Sequence, residues 1–496
     1  MKFDLSDYNL AQQSDDTDIA ARFYRFGYVA NVGNYPSFST PLSRDLTDWI
    51  NCQIGTLHLT LHPECPIYTY AHEKRQIVVL GHVFDACEKM LDSQAVCDSL
   101  GQYTHTSEAF LSHLDSLAGR YVIFANFGAG WDVYPDAFGS KMRYFSPEAP
   151  GMVASHSSLL ANAIGAQLDF DMFAFMTSEA YRKRDVKNLP GLATEYENAF
   201  VAPANHALDL TQMHLHRFWP RADIRHTDEK LAETVFIEYL DSYSDYVAQQ
   251  FDKDIFGLTG GMDSRTMLAP LLAKGVEIEA FTLLRGSQSN REDLETAKVL
   301  AKQFGFNHTI VDVSTEEARN FGYYSNVRKA LRQAGGPQRL NTGHSNASFY
   351  RAFKDKATQN SNFSRGFGGE IIRGFYQRQG KPLKEATASK FAGLMGIHGK
   401  SELTQYYFKH FIDNLAYDSC YDADLFDIYY MEHRMSKWGA NALSESDLTA
   451  HSMVGMSCRK LYEVNMGLPL EVRVTRNVFK KTVQHFYPSL LDVDIC

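Results

Sequence analysis

The sequence predicts an α/β protein in two parts: an N-terminal antiparallel β-sandwich with helices over residues 1–215, and a C-terminal doubly wound parallel sheet over 216–496. Three observations predict it. Residues 22 to 165 carry short aromatic and β-branched runs separated by turn residues, the pattern of half-buried strands. From residue 255 the pattern changes to buried apolar runs alternating with segments of helical spacing, as in a parallel sheet with crossover helices. Between the two lies a stretch dense in turn signals, with Asn188-Leu189-Pro190-Gly191, Ala202-Pro203-Ala204-Asn205 and Trp219-Pro220.

With 496 residues, 44% of them hydrophobic and 22% charged, the chain is globular and too long for one small core. A net charge of −10 without a basic block argues against nucleic acid as a partner. The seven cysteines (Cys52, Cys65, Cys87, Cys97, Cys420, Cys458, Cys496) are odd in number and lack C-x-x-C spacing, which disfavours a disulfide framework or a zinc site and fits a reducing cytoplasm. The N-terminal residues show no basic segment leading into an apolar one, and no apolar run reaches membrane length; a cytoplasmic protein without a membrane partner is expected.

In chain order, residues 76–84 and 120–126 read as strands, with a helix at 108–117 between them. His206 and Trp219, in the linker, read as packing residues. A helix is expected over 228–250, where Leu231, Val235, Phe236, Tyr239, Leu240 and Tyr243 recur at helical spacing. The apolar run Ile255-Phe256-Gly257-Leu258 then breaks into Thr259-Gly260-Gly261-Met262-Asp263-Ser264 and continues as a helix. Adjacent glycines let the backbone approach a ligand, and two hydroxyls and the first helical N–H groups aim at one place, which suits a phosphate or pyrophosphate. Asp263 would repel a bare phosphate and makes sense with Mg²⁺ between them. This is not the Walker loop, because the glycines are too close and Met262 follows where that loop has Lys.

A strand at 279–284, a helix at 293–305 closed by Gly305 and a strand at 308–313 follow. Further on, Phe363-Ser364-Arg365-Gly366-Phe367-Gly368-Gly369-Glu370 is a second glycine-rich stretch bearing an acid. Near the end, Arg473, Arg476 and Lys480 recur at spacings of three and four. They are expected on one side of a helix, either as a phosphate contact or as a solvated basic face.

The first loop resembles the pyrophosphate loop, Ser-Gly-Gly-x-Asp-Ser, of the asparagine synthetase and β-lactam synthetase family of ATP pyrophosphatases, with Thr259 in place of the first Ser. The resemblance implies an adenine-nucleotide-hydrolase-like fold and the cofactors ATP and Mg²⁺. It implies nucleotide contacts at Leu258, Thr259, Gly260, Gly261, Asp263, Ser264 and Arg265, and puts Phe281, Thr282 and Leu283 near the adenine. Asp293 falls on an acid that recurs in the family; a helix N-terminal charge is the alternative. The second stretch resembles the family's Gly-Glu-Gly-Ser-Asp-Glu loop: Gly366 and Gly368 match its glycines and Glu370 its metal-binding Asp, making Asp263 and Glu370 the implied metal pair. Arg476, with Lys480 one turn on, best matches the Lys that approaches the pyrophosphate. Phe367 departs from the Glu or Tyr found there, and a phenyl ring cannot take a proton from an amine. His344 and Glu432 are the alternative bases, each with a structural role as its other reading.

Upstream, Leu117-Ala118-Gly119-Arg120-Tyr121 and Trp131-Asp132-Val133-Tyr134-Pro135-Asp136 resemble the end of the Ntn-like class II glutamine amidotransferase domain that precedes the synthetase in that family. Its chemistry is expected to be absent. Lys2 stands where that family has its nucleophilic Cys, and Leu80 replaces the amide donor of the oxyanion hole. The function implied is an ATP-dependent ligase that adenylates a carboxylate and passes it to ammonia or a substrate amine, releasing AMP and pyrophosphate, without glutaminase activity. A non-catalytic nucleotide-binding scaffold is the other reading, and a homodimer is compatible with either. A PP-loop enzyme of tRNA modification is disfavoured by the acidic charge and the N-terminal part.

Overall fold

Seventeen strands in three sheets organise the computed structural model, which describes residues 17–38, 46–184, 186–315, 321–336, 344–377, 381–396 and 401–494. The first twelve are β1 (Tyr28–Val32), β2 (Ile50–Ile54), β3 (Leu57–Leu61), β4 (Ile67–His72), β5 (Arg75–Asp85), β6 (Leu117–Asn126), β7 (Trp131–Pro135), β8 (Tyr144–Phe145), β9 (Met152–Ala154), β10 (Phe200–Val201), β11 (His206–Asp209) and β12 (His214–Arg217). They form two six-stranded antiparallel sheets, in the orders β10-β8-β9-β1-β3-β2 and β12-β11-β7-β6-β5-β4. Alternate residues of each sheet point inward: Tyr28 and Ala30 of β1, and Leu57, Leu59 and Leu61 of β3, share one core with Ile77, Val79, Tyr121 and Ile123. Tyr28 meets Phe124 of the other sheet edge-on at 5.9 Å. The helix Glu108–Ser116, capped by Ser107, lies between β5 and β6 as expected.

The remaining five strands are parallel: β13 (Lys253–Gly257), β14 (Ile278–Leu284), β15 (Asn307–Asp312), β16 (Ser361–Ser364) and β17 (His451–Ser452). Their order, β15-β14-β13-β16-β17, runs backwards from β13 on one side and forwards on the other, which is the doubly wound arrangement. A buried acid fixes the central pair. Asp254 of β13 accepts from Asn362 Nδ2 at 2.6 Å and Ser364 Oγ at 2.7 Å, both on β16. Burial raises its pKa to about 6, so the two donors compensate for a carboxylate taken out of water.

Local signals explain the helix ends. The Asp228 side chain caps Glu229–Gln250 by accepting from Leu231 N–H at 2.8 Å. Ser287 caps Gln288–Phe304, and Gly305, at φ 73°, closes it in the left-handed region. Leu231, expected on the buried face of its helix, is 50% exposed; Ala232 turns inward instead. One cluster of buried apolar residues runs from β1 through both antiparallel sheets to Leu490, so the two halves share a core. Buried His206 bridges the carbonyls of Ala204 and Leu415, and Trp219 packs in the same core.

The ten-residue π-helix Tyr430–Gly439 forms much of the seam. Its wider turn spreads successive side chains around the axis. Ser436 Oγ donates to Phe138 O at 2.9 Å and accepts from Ala204 N–H, while Lys437 Nζ donates to Gly191 O and Ala193 O, each at 2.8 Å. No helix among the described residues is long and apolar enough to cross a membrane, and the six described cysteines are free thiols.

Candidate nucleotide site

In a doubly wound sheet the crevice opens at the carboxyl ends of the strands where their order reverses, here between β13 and β16. Both glycine-rich loops leave the sheet at that point. The loop after β13 leads into the helix Met262–Ala273, whose N-cap is Gly261 and has no capping side chain, so its first N–H groups are free for an anion. Hydrogen bonds within the loop set its shape. Thr259 Oγ1 and Ser264 Oγ are 3.0 Å apart, Gly261 N–H donates to Thr259 Oγ1 at 3.2 Å, and Ser264 Oγ lies 3.0 Å from Thr259 O.

Asp293 completes the loop by accepting from Gly260 N–H at 3.0 Å. It is the sixth residue of its helix, beyond the first turn, so of its two readings the helix N-terminal charge falls away.

The loop after β16 folds onto Asp263. A Cβ added at Gly366 would stand 3.1 Å from the Cβ of Asp263, and one at Gly369 would stand 3.4 Å from its Cγ. Gly368, at φ 103°, is more constrained: a Cβ there would meet Met456 O at 2.1 Å. Glu370 Oε2 accepts from Gly368 N–H at 3.2 Å. Burial, and then the charge of Asp263, raise its pKa. Arg373 Nε donates to Asp263 Oδ2 at 3.1 Å, whereas Asp263 Oδ1 is buried without a hydrogen-bond partner among the described residues. Arg373, three residues after Glu370, was within reach of sequence reasoning because that spacing puts both on one side of a helical turn.

These residues fit a hard divalent cation. Two carboxylates repel each other at one point, and one of their oxygens is buried and unpaired. No cluster of three or more His, Cys, Asp or Glu gathers among the described residues, so the protein could supply only part of an octahedral shell. Mg²⁺ takes the rest from water and phosphate.

The residues expected at the adenine lie on β14 and its neighbour. Leu258 N–H donates to Phe281 O at 2.8 Å, and Thr282 Oγ1 donates to Leu258 O at 2.8 Å and pairs with His308 Nε2 at 2.9 Å. Leu258, Phe281 and Thr282 are buried, and Phe281 packs on Phe349 and Phe363; only Leu283 is half-exposed at the open end of the strand.

Three expectations need correction. Arg265 does not face the crevice: it is fully buried and donates to Gly260 O at 3.1 Å, Leu490 O at 2.8 Å and the carbonyls of Val493 and Asp494, tying the loop to the C-terminal segment. Glu432 is held in a buried ion pair with Arg217, so both its oxygens are occupied. Arg473, Arg476 and Lys480 do not share one helix face. Arg473 ends the helix Leu470–Arg473 and points inward to Ile372 O and Asp427. Arg476, at φ 59°, breaks the chain into the next helix, Asn477–Phe486. Arg476 and Lys480 are both exposed.

His344 begins the helix His344–Phe353, but its side chain lies outside the described residues, as does Lys2. Leu80 is a fully buried core residue of β5. Phe367 is buried, with the Arg365 guanidinium 3.9 Å from its ring centre and Trp438 edge-on at 5.8 Å.

Residues 253–332 match the family model described as "Queuosine biosynthesis protein QueC", of the PP-loop ATP pyrophosphatases; the match spans β13, its loop, β14 and β15 and supports a PP-loop unit there. Among solved structures, a glutamine-dependent NAD⁺ synthetase from Acinetobacter baumannii in complex with ADP matches at 15% identity and TM-score 0.18, over 45% of this chain and 39% of that one. The chain thus spans about two fifths of that enzyme's length. An NMN synthetase from Francisella tularensis matches at 13% identity and TM-score 0.17, over 38% and 71%. A glutamine PRPP amidotransferase from B. subtilis, complexed with ADP and GMP, matches at 11% identity and TM-score 0.24, over 60% and 61%.

Proposed function

We propose that this chain is an ATP-dependent ligase that adenylates a carboxylate and transfers the acyl group to ammonia or a substrate amine, releasing AMP and pyrophosphate. The observation that carries the reading is the meeting of Asp263, with its orphaned Oδ1, and Glu370 at the reversal point of the sheet, in front of an uncapped helix N-terminus. Asp263 and Glu370 would hold Mg²⁺, which supplies charge neutralisation for the departing pyrophosphate. The loop N–H groups and the hydroxyls of Thr259 and Ser264 bind and orient the phosphates. Asp293 and the fully buried Arg265 hold the loop in shape for that contact. Arg373 keeps Asp263 aligned, and the exposed Lys480 and Arg476 stand as charge for the phosphate tail.

The test is release of AMP and pyrophosphate from ATP against a panel of carboxylates, with ammonium or glutamine as nitrogen source. AMP release that depends on a carboxylate, with ammonium accepted and no glutamate formed from glutamine, is the expected result. ATP binding with no AMP released for any carboxylate would leave the scaffold reading in its place.

A further inference from the structure

Beside the candidate site lies a cavity of about 300 Å³ whose charge runs against that of the chain as a whole. Lys183, Arg184 and Arg434 line it together with Asn188, Tyr376 and Tyr429, and no Asp or Glu among the described residues does. Lys183 sits at the rim and pairs with Glu179. Neither arginine has a carboxylate partner among the described residues. Arg184 donates to Asn188 Oδ1 at 2.9 Å and Asn188 O at 3.3 Å. Arg434 donates from Nη1 to Tyr376 OH at 3.2 Å and is walled in by Phe375, Tyr430 and Trp438, with ring centres 5.1 to 5.7 Å from its guanidinium carbon. Its Nε is buried with no hydrogen-bond partner among the described residues.

Two guanidinium groups brought near each other at low dielectric repel, and a donor left unpaired there is unfavourable, unless an oxyanion joins them. Burial and then the Arg434 charge push the pKa of Arg184 down against Tyr181 and Tyr429, whereas Arg434, though burial opposes it, is raised by Tyr376 and Tyr430 with a smaller contribution from Glu370, so the cavity's own charge balance rests on hydroxyls rather than on a carboxylate partner among the described residues. Aromatic side chains link its wall to the nucleotide site. Tyr376 follows Glu370 in the same stretch, and the Trp438 ring beside Arg434 also meets Phe367 of the second glycine-rich loop.

We propose that this cavity holds the non-reacting end of the carboxylate substrate, which is therefore a dianion whose second oxyanion, a carboxylate or a phosphate, is gripped by Arg184 and Arg434. The inference rests on the adenylating reading above. An arginine fork matches either oxyanion in two parallel N–H···O bonds, and the tyrosine hydroxyls add neutral donors.

Binding without ATP separates this inference from its parent. The fluorescence of Trp438, 5.1 Å from Arg434, reports occupancy, with Trp438→Phe as the control for the other tryptophans. Glutarate is expected to change the emission, and butyrate and glutaramide to bind at least about tenfold more weakly. Arg184→Gln, at the half-buried wall, and Arg434→Lys are each expected to weaken glutarate by about tenfold or more, with ATP binding retained. Inorganic phosphate displacing glutarate at lower concentration would assign the second group as a phosphate.

Glutaramide binding as well as glutarate, neither glutarate nor phosphate binding, or unchanged affinity in a folded Arg184→Gln protein would each overturn the inference. Arginine-dependent glutarate binding with no AMP release for any carboxylate would leave the pocket standing and remove the adenylation. Carboxylate-dependent AMP release that ignores both arginines would do the reverse.

Discussion

Arg217 grips both oxygens of Glu432, Nη1 on Oε1 at 2.6 Å and Nη2 on Oε2 at 3.0 Å, with both side chains buried where β12 meets the π-helix. Asn205 Nδ2 donates to the same carboxylate at 3.1 Å. A carboxylate so occupied is a tie between the halves rather than a base. Glu432→Gln is expected to lower the unfolding free energy by about 3–5 kcal/mol, the scale of breaking a buried pair, with turnover per folded molecule near that of the unchanged protein. Urea unfolding alongside the AMP assay measures both. Unchanged stability with lost turnover would return Glu432 to the role of base.

Asp263→Asn and Glu370→Gln each remove one of the two charges at the crevice. Each is expected to slow pyrophosphate release at least about a hundredfold, the scale of losing one preorganised electrostatic group. Glu370→Asp keeps the charge on a shorter arm and so separates geometry from charge. A harmless Glu370→Gln beside an inactive Asp263→Asn would mean that Glu370 does not hold the metal.

Gly368→Ala combines a left-handed backbone with a clash against Met456 O. It is expected to destabilise the fold by roughly 2–5 kcal/mol and to reduce ATP affinity. Gly165, at φ 72° with no atom within 4 Å of the added Cβ, is the control for backbone strain alone; Gly165→Ala is expected to lower stability by about 1 kcal/mol. Equal losses at the two positions would show that the loop relaxes away from Met456.

Lys437 supplies a pH signature. Burial pushes its pKa down to about 7 from its ordinary value of 10.5, with Glu195 opposing the shift. The unfolded chain therefore binds more protons at this residue across that window, so this contribution to stability rises with pH from about 7 to 10.5 and is lost as pH falls through about 7. Relative to Lys437→Met, the unchanged protein is expected to gain up to about 1.4 kcal/mol per pH unit between pH 8 and pH 10, measured by urea unfolding. Parallel stability curves for the two proteins would mean that the amine stays charged on its two carbonyl partners.

The loops and first three parallel strands were legible in the sequence because each is a local signal: an apolar run, a turn that only glycine makes, a capped helix. The pairing of Asp263 with Glu370 followed from motif resemblance and not from spacing, since 107 positions separate them. What sequence missed depends on distant partners. Arg265 and Glu432 carry the residue types of a site, but each is consumed by groups far along the chain, the carbonyls near residue 490 and the fork of Arg217. The left-handed Arg476 broke a basic pattern that looked continuous, because a single positive φ in a non-glycine residue leaves little trace in sequence. Arg434 gave no signal at all, since its surroundings of aromatic rings are assembled from two separate segments, 375–376 and 430–438.

The undivided core decides how the chain can be cut. Ser436, Lys437 and Arg459 in the C-terminal half are satisfied by Phe138 O, Gly191 O and Asp136 O from the half before it, and Glu432 by Arg217 of β12, the strand at which the halves join. Expressed alone, the C-terminal half would present those buried ions and an apolar face to water, and would be recovered as aggregate rather than as a minimal enzyme. The antiparallel half would thus act as a permanent, covalently attached chaperone of the nucleotide site.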